Sequence, residues 1–185
     1  MTQVAQLWIP IVLSAVLVFF ASSIIHMVLK WHNAEYGKLS NEDAVRSAIR
    51  AGSPGPGQYV IPHCQDMKAM QAPEMQRKFV DGPVAMLTLR APGPPKMGGF
   101  LAKWFVYGVV VALIAACLAG GVLPPGQGRP AGVLTGAITF LVYGGGSVPN
   151  AIWMGKPWSA ALKELLDAAI YGVVTGATFA WLWPQ

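Results

Sequence analysis

The stretch Leu7-Trp-Ile-Pro-Ile-Val-Leu-Ser-Ala-Val-Leu-Val-Phe-Phe-Ala-Ser-Ser-Ile-Ile-His-Met-Val-Leu29 runs for 23 residues without a Lys, Arg, Asp or Glu. A helix rises about 1.5 Å per residue, so about 20 such residues cross a hydrocarbon layer roughly 30 Å thick. The residues before it, Met1 to Gln6, contain no Lys or Arg, and the apolar run is too long for a cleavable leader, so it is expected to stay attached as a first span.

Working outward, three more stretches have the same character: about Phe100 to Leu123, closed by Pro124 and Pro125; about Ala131 to Met154; and about Leu165 to Trp183, closed by Pro184. Within lipid each backbone N–H and C=O must be satisfied inside its own segment, so these are expected to be helices. Tryptophans at the ends (Trp8, Trp31, Trp104, Trp153, Trp158, Trp181, Trp183) suit a membrane–water interface. The composition agrees: 54% of the 185 residues are hydrophobic and only 11% charged, well below the share of about 25% usual in a soluble domain. The expected fold is therefore an all-α integral membrane protein with a lipid bilayer as its main solvent. It divides into a first transmembrane helix (1–30), a polar loop segment (31–99) and a three-helix transmembrane region (100–185).

Orientation follows from the cations. Twelve of the thirteen Lys and Arg residues lie between or beside spans one and two or between spans three and four, and only Arg129 falls on the other side. Cytoplasmic loops retain Lys and Arg, so both termini are expected outside and both basic segments in the cytoplasm of a bacterial-type inner membrane. The net charge of +5 is thus an orientation signal. The cations are scattered and not interleaved with aromatics, so nucleic acid is not an expected partner.

The cytoplasmic segment reads as small and α/β-like. Asn41 to Ala51 is a predicted helix, started by a capping-box pattern (Ser40 with Asp43) and stopped at Gly52. Gln58 to Ile61 and Val84 to Leu89 read as strands, and Pro73 to Val80 as a helix with Pro at its first position and Gly82 beyond its end. Two strands and a helix are a marginal core in water, so the segment is expected to lean on the membrane region or on a partner.

Gly132-Val-Leu-Thr-Gly-Ala137 and Gly172-Val-Val-Thr-Gly-Ala177 agree at five of six positions. The GxxxG spacing puts both glycines on one helix face, where backbones can approach closely, so Gly132, Gly136, Gly172 and Gly176 are expected at helix contacts within the bundle or between protomers. Gly144, Gly145, Gly146, Ser147 and Pro149 weaken the third span and predict a kink or unwound turn.

Ionisable groups inside spans are functional candidates. His26, Asn150 and Asp167 each fall roughly 3 to 6 Å inside a cytoplasmic boundary at about 1.5 Å per residue, so they can meet as a polar cluster, with His32, Glu35 and Glu164 nearer the water. Such a cluster would be a proton or metal site. The plainer reading is preferred: side chains this shallow reach the headgroups, and Asp167 would sit in the first turn of its helix, where a carboxylate is favoured.

His63, Cys64 and Met67 form a second constellation whose imidazole, thiolate and thioether would suit copper(I), although their spacing matches no metal motif. No cofactor is otherwise implied. Gly155-Lys156 lacks the lead of a phosphate loop, no Ser stands in a GxSxG elbow, and no catalytic residues are assigned. The expected function is a non-enzymatic accessory subunit that packs with other membrane protein subunits or as a homo-oligomer; the rivals are a metal-binding or redox protein and a small oligomeric transporter or channel.

Overall fold

A computed structural model describes residues 4–185, so Met1 to Gln3, at the head of the expected first span, lie outside the described residues. The chain is mostly helical, with four helical stretches long and apolar enough to cross a membrane: Val4–Leu29, Met97–Val122, Gly128–Trp153 and Trp158–Leu182. It divides into two units, residues 1–36 with 96–185, and residues 37–95.

The first unit is the helical bundle. Its first span begins as a short 3-10 turn, continues as α1 (Trp8–Ser23), and widens into a π-helical turn over Ile24–Leu29. Lys30, in the left-handed region at φ +53°, ends that span, and a 3-10 turn follows over Trp31–Glu35. The second span is α5 (Met97–Val122), the third is α6 (Gly128–Gly144) followed by α7 (Ser147–Trp153), and the fourth is α8 (Trp158–Leu182).

One expected boundary moves by about two helical turns. The fourth span starts at Trp158, seven residues ahead of Leu165, because Trp158-Ser-Ala-Ala-Leu-Lys-Glu continues the helix despite its two charges. Asp167 is therefore the tenth residue of α8 and not a first-turn residue, so no helix N-terminus compensates its charge. In the third span the chain stays helical through the glycines: Gly145 and Gly146 have right-handed helical dihedrals, and the Gly145 N–H still donates to the Leu141 carbonyl at 2.8 Å. The break is in the hydrogen-bond ladder. Pro149 has no N–H to donate to the carbonyl four residues earlier.

Small residues set the packing. α8 lies against α1 and α6, and α5 lies against α1 and α6. The α5 face turned inward is Gly108, Val111, Ala112, Ala115, Ala116, Ala119 and Gly120, all small but the valine. The tightest approach is between α6 and α8: a Cβ added to Gly132 would lie 2.5 Å from the Gly176 carbonyl oxygen, and one added to Gly136 would lie 2.8 Å from that of Gly172. Both glycine pairs thus sit where backbone meets backbone. Leu7, Ile11, Ala131, Phe179 and Trp183 close one end of the bundle, where Trp183 donates to the Pro124 carbonyl at 3.1 Å. Val18, Ile25 and Tyr171, with Trp31, Trp104 and Tyr143 around them, close the other.

The second unit holds α2 (Glu42–Ala51), β1 (Gly57–Ile61), α3 (Met67–Gln71), α4 (Pro73–Asp81) and β2 (Ala85–Leu89). The strands pair antiparallel, with Tyr59 opposite Leu87 and Ile61 opposite Ala85. α4 begins at Pro73 and ends at Gly82, whose φ of +63° favours glycine. The capping box at α2 does not form: Asn41 precedes the helix without a side-chain cap, and Asp43 pairs with Arg46 at 3.3 Å instead. α3 was not foreseen; the Asp66 side chain caps it by accepting from the Ala69 N–H at 2.7 Å. No residue from 37 to 95 is buried, although Ala85, Leu87 and Leu89, sharing one face of β2, are half-covered.

Candidate functional site at one end of the bundle

The site grows from the way the first span ends. Lys30 in the left-handed region turns the chain back, so the Trp31–Glu35 turn places the His32 ring against His26 of the π-helical turn. The two imidazoles are stacked, 4.8 Å between centroids and 10° from parallel. A π turn inside a membrane helix is an uncommon element that often accompanies functional residues.

The hydrogen bonds define what each ring can do. His26 Nδ1 lies 2.9 Å from the Ser22 carbonyl, which can only accept, so Nδ1 carries the proton and Nε2 keeps its lone pair in the neutral ring. His32 Nδ1 meets Glu35 Oε1 at 2.7 Å, and its Nε2 meets Asp167 Oδ2 at 2.8 Å. Both His32 nitrogens thus face a carboxylate oxygen, and the ring bridges Glu35 and Asp167.

Around this chain of charges, Lys163 donates to the Trp31 carbonyl at 2.6 Å and lies 3.6 Å from Glu35. A second pair stands beside it: Lys156 bonds Glu164, whose other oxygen accepts from the Ser147 hydroxyl at 3.0 Å. Asp167 is 5% exposed and its Oδ1 has no hydrogen-bond partner among the described residues. Leaving a buried polar oxygen without a partner costs roughly 1–3 kcal/mol by desolvation, and more where the group is charged.

Next to the cluster is a cavity of about 260 Å³ whose polar wall includes His26, Asn150, Glu164 and Asp167. The structure thus brings the three sequence candidates His26, Asn150 and Asp167 onto one cavity, and Glu35 and Glu164 into the surrounding network. The opposite wall was not anticipated. Trp104, Tyr143 and Tyr171 form it, and their rings contact one another edge-on, with Tyr143 and Tyr171 5.1 Å apart. Of these three, the sequence singles out only Trp104, as an interfacial tryptophan. The sequence puts His32 nearer the water; here it is the link between Glu35 and Asp167.

His63 and Cys64 lie elsewhere, in the second unit between β1 and α3, and no further His, Cys or carboxylate joins them in a ligand group among the described residues. Met67 is 67% exposed at the start of α3. The glycine positions form the α6–α8 contact described above and do not line the cavity. Comparison with protein-family models, with curated proteins and with solved structures finds no match to this chain.

Proposed function

We propose that this chain is an accessory subunit of a bacterial-type inner membrane, with both termini outside and residues 37–95 in the cytoplasm as its docking part. The observation carrying this reading is that the 59 residues from 37 to 95 include none that is buried. A two-stranded sheet whose best-covered residues are only half-buried is marginal in water, so a segment of this size with defined strands and helices needs a surface to complete it. Val80, 85% exposed, Met67 at 67% and Val84 at 62% are the apolar groups such a surface would cover.

The partner is another protein and not the lipid surface. The helices of the segment alternate sign: Asp43 beside Arg46 on α2, Glu74 beside Lys78 on α4. An anionic membrane attracts one-sided basic faces and repels these carboxylates, whereas a protein surface can complement both. The orientation is supported by the cation bias and by the bundle ends: Arg129 alone shares an end with Trp183 and Pro124, while Lys156 and Lys163 belong to the opposite end with His32 and Glu35.

Photo-crosslinkers at Tyr59, Val80 and Met86, in cells expressing the full chain, test this. A discrete crosslinked membrane protein is expected from at least two positions. Crosslinks to lipid alone, or to a second copy of the chain alone, would overturn the partner assignment.

A further inference from the structure

We propose that His26, His32 and Asp167 bind one divalent transition-metal ion of borderline hardness, with zinc and cobalt(II) as representative probes. This goes beyond the docking function and does not depend on it. Three separate features converge. One donor atom from each residue lies within 4.8 Å of the others, the single such group of His, Cys and carboxylate side chains among the described residues. Two imidazoles and one carboxylate suit zinc, cobalt(II) or iron(II), and not copper(I), which prefers sulfur.

The outer hydrogen bonds are those that hold metal-ligating histidines. His26 Nδ1 is tied to the Ser22 carbonyl and His32 Nδ1 to the Glu35 carboxylate, which leaves Nε2 of each ring as the inner ligand atom. Protein metal sites use this arrangement, carboxylate or carbonyl outside and metal inside, to fix ring orientation and raise ligand basicity. Finally, Asp167 Oδ1 is buried without a partner. A carboxylate well inside a membrane helix with one oxygen unsatisfied is a costly feature to keep; a cation would satisfy it.

The proton that His32 Nε2 shares with Asp167 Oδ2 occupies the ligand position, so loading releases it to solvent. The His26 atom must also close from within 4.8 Å to about 3.3 Å, the edge of a tetrahedron with metal–ligand bonds of about 2.0–2.1 Å, while the His32–Asp167 pair opens to that edge from 2.8 Å and the parallel rings tilt toward each other. His32 stands on a short turn next to the left-handed Lys30, where such a rotation disturbs no span. Glu164 and Asn150 line the same cavity, and Glu164 is held by Lys156 and the Ser147 hydroxyl.

The test uses the full chain in detergent, stripped with chelator, titrated with cobalt(II) followed by visible absorption and with zinc followed by calorimetry. One ion per chain is expected, with the tetrahedral cobalt bands in the visible. His32→Ala and Asp167→Asn should abolish the cobalt bands, and Glu35→Gln, which removes only an outer partner, should weaken affinity roughly 10- to 100-fold. Because Asp167→Asn can also unsettle the bundle, His26→Gln serves as the second variant: it keeps the His32–Asp167 pair and should still lose the bands. The double variant His63→Ala/Cys64→Ser should bind as wild type does. No stoichiometric ion on the wild-type chain, retention of the bands in His26→Gln and His32→Ala, or their loss in His63→Ala/Cys64→Ser would each overturn the proposal.

Discussion

The α6–α8 contact and the β1–β2 pair are both small structures built from few residues, yet they meet their surroundings in opposite ways. In the bundle, glycine Cα meets glycine carbonyl so closely that no Cβ fits, and packing is completed within the chain. In the 37–95 segment the two strands satisfy each other's backbone, while Tyr59, Val60, Ile61 and Met86 stay exposed. The lesson concerns solvent. Lipid offers helices no hydrophobic reason to associate, so the bundle relies on close van der Waals fit between small residues. Water does drive apolar surface together, so uncovered apolar side chains in the polar segment point to a surface supplied by something else.

The largest effect expected from this contrast comes at the glycines. Gly176→Leu places a branched side chain against the Gly132 carbonyl, only 2.6 Å from where its Cβ would stand, and should leave no monodisperse folded protein in detergent. Gly132→Ala is the graded version and should cost about 1–3 kcal/mol, the usual range for overpacking, in a denaturant titration of the purified chain.

Next in size is Asp167→Asn, which removes the charge that holds His32. Side chains only 7% and 13% exposed make this a largely buried pair. Its loss should destabilise the bundle by roughly 3 kcal/mol, near the low end for breaking a buried pair from one side. Thermal unfolding of wild type and variant would measure it, and wild-type stability in the variant would show that the pair contributes nothing.

The segment should behave otherwise. Val80→Ser and Met86→Ser are expected to change the stability of the purified chain by no more than about 0.5 kcal/mol, as surface substitutions do. The same changes should reduce recovery of the partner from native membranes.

The smallest effect is at Glu74. The hydrogen bond and charge of Lys78, 2.9 Å away, hold its carboxyl below the ordinary 4.5 and raise the Lys78 ammonium above its ordinary 10.5. A lowered carboxyl contributes stability that is present above the unfolded value and fades as the pH falls below 4.5. Both groups are fully solvated, so the consequence is confined to the titration itself. In Lys78→Gln, carbon-13 NMR should find Glu74 titrating at its ordinary value.

The spans were legible because one length, the hydrocarbon thickness, fixes how many apolar residues must run together. What failed was the start of α8. Lys163 and Glu164 read as loop residues, but their long side chains reach Glu35 and Lys156 from helical backbone, so the helix begins at Trp158. That error moved Asp167 into a first turn and made its charge look inexpensive. Span ends expected on one side were enough to bring His26, Asn150 and Asp167 to one cavity, although the depth given to Asp167 rested on the wrong helix start. The role of His32 was not legible, since it depends on the chain reversal at Lys30, and a left-handed lysine leaves no mark in hydrophobic periodicity. α3 escaped for a similar reason. Five residues are too few to show a period, and only the cap at Asp66 announces it.

Hydrogen–deuterium exchange on the full chain, purified alone in lipid nanodiscs and compared with the same chain in its native membrane, tests the contrast most directly. The account predicts amides of α6 and α8 that are strongly protected in both samples, and amides of residues 37–95 that exchange quickly in the isolated chain and slow down in the native membrane. Protection of the 37–95 strands in the isolated chain equal to that of α6 and α8 would contradict it.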